Sequence, residues 1–298
     1  MNRRTIGTVA LALLACTLTA CKTSPTGSPS PAAAGPPPSY PEIADRFNER
    51  ADRLGRIWAN ATAQFSYLDE QGDRHNEQGE GHLQLITPDR FALSIGKISE
   101  VLFWLGCDAD RYWFFEMYEG NRVSIGRHRN IGSPCNRDLG LPANPIDIID
   151  LLGVTPLPID APGETSWSTN GKWLVVDAPG RATWRRLFLD PETLLPQRVE
   201  LYDPTDTSAP IVFSSIELYE SVTLEGVGGF FPKAPSRLQI DHEQSGTSIR
   251  LFLHNMNDGK TRGRLSDAVF TFESLVEAFG PEEITVLDQH CESPALVN

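Results

Sequence analysis

From His82 to Gly96 the chain reads HLQLITPDRFALSIG, in which Leu83 and Leu85 alternate with His82 and Gln84, and Phe91, Leu93 and Ile95 with Ala92 and Ser94. A period of two sends every second side chain to one face, so this stretch predicts two half-buried strands in a hairpin turned at Thr87, Pro88 and Asp89. Upstream the period differs. Between Pro41 and Ala63, Ile43, Phe47, Ala51, Leu54, Trp58 and Ala61 recur at spacings of three and four. That spacing predicts an amphipathic helix, with Ser39 and Glu42 as a capping box at its start. Residues 100 to 128, EVLFWLGCDADRYWFFEMYEGNRVSIGRH, are apolar on both faces, with turn residues at Asp108 to Asp110 and Glu119 to Asn121, as expected of central strands. Glu116 marks one face of the middle strand as wetter and assigns Trp113, Phe115 and Met117 to the interior. NPIDIIDLLG then predicts a compact helix with Asn144 as N-cap, Pro145 at the first position and Gly153 as its stop. From Lys172 alternation resumes through WLVVDA, TWRRLFLD, QRVELYD, IVFSSIELYE, SRLQID and SIRLFLHN. These strands are too many for a small sandwich and too evenly spaced for α/β. The fold class is mainly β: one large, strongly curved antiparallel sheet with two helices against one face.

The N-terminus follows neither period. Arg3 and Arg4 precede a short apolar run from Ile6 to Ala20, the pattern of an export signal, and the run is too short to span a bilayer as a helix. Leu18, Thr19, Ala20 and Cys21 resemble the bacterial lipobox, which implies cleavage before Cys21 and lipidation of its thiol. Leu13, Leu14, Ala15 and Cys16 approximate the same motif, but Leu14 fits its second position less well and the apolar run before Cys16 is shorter. Residues 1–20 are thus a lipoprotein signal peptide. Residues 21–40 are the lipidated cysteine and a tether rich in Pro, Ser, Ala and Gly that cannot bury enough apolar surface to fold. At about 3.1 Å per residue this tether would reach on the order of 60 Å. Residues 41–298 form one domain. Lys22 rather than an acidic residue follows Cys21, and by the bacterial sorting rule this places the protein at the outer membrane, on its periplasmic side.

The net charge of -13, with no basic cluster, disfavours nucleic acid and anionic lipid surfaces as partners. After processing, Cys107, Cys135 and Cys291 remain in a compartment that permits disulfides. A strand end, a hairpin and a returning strand separate Cys107 from Cys135, so these two are expected to meet at one sheet edge and bond; three free thiols are the alternative. The histidines, His75, His82, His128, His242, His254 and His290, show no HxxxH or HExxH spacing, and the cysteines form no CxxC, so no metal site is read. No phosphate loop, GxSxG elbow or SxxK occurs, no cofactor is implied, and no pair of carboxylates is singled out for catalysis.

RLFLDPETLLPQRVELYDPTDTSAPIVFSSIEL, residues 186 to 218, is similar to the strand, Asp-Pro turn, Leu-Pro and strand sequence of the periplasmic lipoprotein-sorting carrier and receptor superfamily, LolA/LolB-like. DADRYWFFEMYEGN resembles that superfamily's central aromatic hairpin, and the order of elements agrees over most of residues 42 to 290. The resemblance implies an unclosed antiparallel β half-barrel with helices covering its concave face and an apolar cavity that accepts acyl chains. It contains no catalytic residue, so the chain reads as a non-enzyme. The expected function is binding of lipid or lipoprotein acyl chains in transport, reception or sorting; the alternative is a non-catalytic envelope scaffold or assembly factor that binds protein partners. Leu83, Leu85, Phe91, Leu93, Trp113, Phe115 and Met117 are the expected cavity lining, acting through buried area alone because no paired basic cluster is legible that would select a headgroup. The anchor is directly testable: Cys21→Ser is expected to move the protein from the membrane to the soluble envelope fraction and to abolish palmitate incorporation. Retention of label, on Cys16, would assign the lipid there instead.

Overall fold

Alternation governs most of the chain. The computed structural model describes residues 35–298 apart from 69–71, 99, 119, 138, 140, 142, 243–244, 261–265 and 292–298; Cys16 and Cys21 lie outside the described residues. Its strands are β1 (Arg56–Leu68), β2 (Arg74–Ile86), β3 (Arg90–Lys97), β4 (Glu100–Cys107), β5 (Arg111–Glu116), β6 (Arg122–Arg127) and β7 (Glu164–Trp167). There follow β8 (Leu174–Pro179), β9 (Trp184–Leu189), β10 (Pro196–Tyr202), β11 (Val212–Ser221), β12 (Lys233–His242), β13 (Thr247–Asn257) and β14 (Glu283–Val286). All belong to one 14-stranded sheet in the order β14-β6-β5-β4-β3-β2-β1-β13-β12-β11-β10-β9-β8-β7, so β14 and β7 are edges and the sheet does not close. Every pairing is antiparallel except β14 on β6.

Among the described residues the α-helices are α1 (Tyr40–Ala51), α2 (Pro145–Leu151) and α3 (Phe272–Phe279). The helix expected over residues 41–63 therefore ends twelve residues early. Ile57, Ala59, Ala61 and Ala63 are buried at a period of two, and β1 pairs along its length with β2 and β13, which satisfies both edges of its backbone. Ser39 does start α1, but only its carbonyl takes part, accepting the Ile43 N–H at 3.1 Å; its side chain makes no cap.

Strong coiling of the sheet needs close backbone approach. At Gly81 a Cβ would lie 1.9 Å from the Ser94 carbonyl oxygen, so only glycine fits there. The coil carries the β8–β9 hairpin back to the β2–β3 turn, where Arg181 meets Asp89 at 3.5 Å. The concave side is filled by α1, α2 and residues 152–157, and the main core lies there.

Both faces of β4 to β6 are covered. In register, Leu85, Phe91, Cys107 and Tyr112 form one row on the concave face, and Leu83, Leu93, Leu105 and Phe114 the next. Trp113 and Phe115 alternate with these and so stand on the outer face, in rows with Ile125 and Val123. The assignment of Trp113, Phe115 and Met117 to the concave interior is thus corrected: they form a second core under α3 with Phe272 and Leu275. Glu116 misled because it closes β5 on the same face as Phe114, at the end of the strand where that face begins to meet water. Phe115 sits 5.5 Å from Phe279 and 5.9 Å from Phe272, centroid to centroid. Asn121 Nδ2 donates to the last carbonyls of α3, Phe279 O and Gly280 O, both at 2.9 Å.

The expected Cys107–Cys135 bridge is also corrected. Cys135 is bonded to Cys291, with Cα atoms 5.3 Å apart, while Cys107 is a free, buried thiol whose Sγ faces the Asp89 carbonyl oxygen. Cys107 points into the concave row beside Phe91 and Tyr112, whereas the chain after β6 runs out to the C-terminal segment, where Arg137 N–H bonds Leu287 O. By chain entropy a loop this long contributes about 5 kcal/mol. Non-reducing peptide mapping is expected to recover Cys135 joined to Cys291, with Cys107 alkylated only after denaturation, because burial pushes its pKa up and excludes reagent. A Cys107–Cys135 peptide would contradict this arrangement.

Candidate functional site

The concave face is apolar across both halves of the sheet. Leu83, Leu85, Phe91 and Leu93, four of the seven residues expected from sequence, lie on it with Ile95 and Leu105. The far half adds Val176, Leu187, Val199, Leu201, Leu238 and Leu251, which sequence reading did not single out. Alternation in WLVVDA, TWRRLFLD, QRVELYD, SRLQID and SIRLFLHN carries the signal for them.

Residues 145 to 158 plug this concavity. Ile146, Ile148, Ile149, Leu151, Leu152, Val154 and Leu157 are buried in it, and α2 packs against β3, β4, β5 and β10. The plug is held by a small set of polar contacts. Asn48 of α1 donates from Nδ2 to Leu157 O at 2.8 Å and accepts the Leu157 N–H at 2.7 Å. Arg50 donates to Gly153 O at 2.6 Å, the Tyr40 hydroxyl to Pro158 O at 2.9 Å, and the Ser214 hydroxyl to Leu151 O at 2.6 Å. Helix α2 is only seven residues long, too short to persist alone, so these bonds and its apolar face keep it formed.

Two carboxylates on α2 are buried, each only 8 % exposed: Asp147 and Asp150. Asp150 Oδ1 accepts from Arg185 Nη1 at 3.0 Å. Arg185 is 3 % exposed and stands in register between Ala178 and Leu201, so it points into the apolar concavity. Its Nη2 donates to Pro156 O at 3.1 Å and more weakly to Pro179 O at 3.5 Å, and its Nε has no partner among the described residues. The same alternation that turns Leu187 and Leu189 inward turns Arg185 inward, so this buried cation was legible in TWRRLFLD. Removing one partner of such a pair strands the other and costs about 3–5 kcal/mol.

No cation stands beside Asp147 among the described residues. Asn144 Nδ2 donates to its Oδ2 at 3.2 Å, and burial, the largest influence, pushes its pKa from an ordinary 3.8 up to about 7, with Asp150 adding repulsion.

Among the described residues three cavities stand out. The largest, 480 Å³, is a polar groove on the outer face lined by Gln64, Ser66, Asn76, Gln78, Gln239 and Arg250. A second of 350 Å³ lies between Arg90, Asp108, Asp267 and Phe270. The third, 120 Å³, sits at the seam where the β8–β9 hairpin meets the β2–β3 turn and α2, lined by Pro88, Ile146, Asp150, Thr155, Arg181 and Arg185. The apolar side chains of the plug and of the concave face are buried in one core. No group of three or more His, Cys, Asp or Glu suited to a metal ion occurs among the described residues.

No family model matches the chain, and no curated protein matches it. Solved structures do. A DUF1329 family protein from Desulfovibrio piger superposes with a TM-score of 0.52 at 13% identity, covering 79% of this chain and 97% of that one. A domain from Vibrio parahaemolyticus described as an outer membrane lipoprotein-sorting protein gives 0.53 at 16% identity, with 79% and 97% covered. A LolA superfamily protein from Nitrosomonas europaea gives 0.49 at 13% identity, with 79% and 99% covered. The chain has a LolA-like fold.

The buried Asp147 gives the plug a pH dependence of definite sign. Its raised pKa means that the folded state holds the proton longer than the unfolded chain does. The associated stability is complete below about pH 4 and is lost as pH rises toward 7, a change of roughly 4 kcal/mol. Asp147→Asn is expected to remove that loss, so its melting temperature should exceed that of the natural chain near pH 8 and converge with it near pH 4. Thermal unfolding of both proteins across that range checks this; parallel curves would show that Asp147 is ionised at no cost.

Proposed function

We propose that this chain is a lipid-anchored envelope lipoprotein, attached through Cys21 to the periplasmic side of the outer membrane, that binds the acyl chains of lipids or lipoproteins in the concavity of its half-barrel. The observation that carries this reading is an apolar concave face covered by α1, the seven-residue α2 and the short segment after it, rather than by a second sheet. A plug of that size can withdraw while the strands keep their ladders. The surface it leaves is apolar, and an acyl chain is the simplest ligand to cover it. Burial of eight methylenes supplies about 6 kcal/mol gross at roughly 0.8 kcal/mol each, before the cost of association.

The tether is shorter than its composition implies. Trp167 Nε1 donates to Gly35 O at 3.0 Å and Thr165 Oγ1 to Pro38 O at 2.5 Å, so residues 35 to 38 lie against β7. A tether running from Cys21 to residue 34 would then reach about 40 Å in the polyproline limit. A second reading, a scaffold that binds envelope protein, is favoured by Ile98 at 98 % and Tyr118 at 78 % exposure on neighbouring hairpin ends, where two large apolar side chains face water together.

Three measurements on the mature chain carrying Cys21→Ser separate the readings. Organic extraction of the purified protein is expected to yield acyl chains, and a fluorescent fatty acyl probe to bind saturably in the micromolar range. Hydrogen exchange in residues 145–158 should speed up on probe binding while residues 272–279 stay unchanged, since α3 covers the outer face. Absence of both copurified lipid and saturable binding would leave the scaffold reading.

A further inference from the structure

Acyl-chain binding treats the concave face as uniformly apolar, and at one point it is not. Arg185 is a cation set into that face, and the 120 Å³ seam cavity lies against it. Arg185 Nε, a buried donor on a residue that lines the cavity, has no acceptor among the described residues. The second arginine of the cavity, Arg181, is about one-third exposed and engaged with Asp89 only at 3.5 Å. An unfilled donor and a loosely held guanidinium call for acceptor oxygens. The cavity is roomy enough for a carboxylate or a phosphate.

The position of the cavity adds a second argument. Ile146 and Asp150 of α2, and Thr155 just after it, form its wall, so it adjoins the space that the plug occupies. When α2 withdraws, Asp150 leaves with it, and Arg185 is left as a buried, unpaired charge in an apolar face. A ligand that brings only methylenes cannot satisfy that charge. We propose, on the basis of the acyl-chain reading, that the seam cavity is a headgroup subsite in which Arg185 and Arg181 hold the oxyanion of an acyl ligand, a carboxylate or phosphate. Asp150 occupies the Arg185 contact when no ligand is bound. One carboxylate exchanges for another oxyanion, so Arg185 keeps an anionic partner in both states. The net charge of -13 makes long-range attraction of an anion unfavourable, and recognition is correspondingly a short-range event at these two guanidinium groups.

The test compares ligands that share a chain and differ in headgroup: oleate, oleoyl lysophosphatidate and neutral monoolein, titrated into the mature chain carrying Cys21→Ser, with inorganic phosphate as the chain-free probe. Both anionic lipids are expected to bind at least tenfold more tightly than monoolein. Arg181→Gln, at the partly exposed hairpin tip, should cut that ratio about threefold. Arg185→Met alone strands Asp150 and risks unfolding, so it is paired with Asp150→Leu, which replaces the ion pair by apolar groups; in that double variant the ratio should fall to about one. Equal binding of oleate and monoolein to the natural site, unchanged in both variants, would remove the headgroup subsite while leaving acyl binding intact. Failure of all three lipids to bind would remove the acyl reading and the subsite with it. Arg185-dependent binding of inorganic phosphate without lipid binding would keep the oxyanion site and reassign it to a free anion.

Discussion

An open sheet of fourteen strands that coils without closing must have its inner face covered, because water against that much apolar surface is the largest unfavourable contact available to the chain. Here the cover is small. Helix α1 and the plug around α2 fill the concavity, and the rest of the architecture follows from that arrangement: the coil tight enough to need Gly81, the return of the β8–β9 hairpin to the β2–β3 turn, and the short list of bonds from Tyr40, Asn48, Arg50 and Ser214 that hold residues 151–158. A cover that is helical and short can be exchanged for a ligand at lower cost than a strand, whose removal would break two ladders at once.

The outer face is treated differently. Over β4 to β6 it carries Trp104, Trp113 and Phe115, which α3 covers with Phe272, Leu275 and Phe279. The segment is then held by pairing of β14 with β6, by Asp288 accepting from Arg127 N–H and Asn130, and by the Cys135–Cys291 bond. Arg111 ties the start of α3 to the sheet through Glu273 at 2.7 Å and Asp108 at 3.1 Å. Covalent and ionic attachments thus concentrate on the outer cover, while the inner one rests on hydrogen bonds and one buried ion pair.

Electrostatics sharpen the contrast. A plug that carried only leucines would be held too well to leave, and one with unpaired charge would not seat. Asp150 is matched to Arg185, whereas Asp147, with Asn144 as its polar contact, seats best as the neutral acid. The inner cover therefore carries a built-in cost near neutral pH.

Much of this was legible in the chain itself. Alternation located the hairpin of Leu83 and Phe91 and the strands after Lys172, and Pro145 with Gly153 bounded α2, because a period of two or a helix terminus is a local property of backbone geometry. The inward direction of Arg185 was also present in its spacing from Leu187 and Leu189. What local pattern could not decide was which of two apolar faces is the inner one. Tyr112 and Phe114 are as apolar as Trp113 and Phe115, and the choice depends on α3, which arrives from more than 150 residues away. The partner of Cys135 was hidden for the same reason, since proximity to Cys291 exists only after the C-terminal segment has crossed to β6. Periodicity assigns side chains to faces; only the packing of distant segments decides what each face meets.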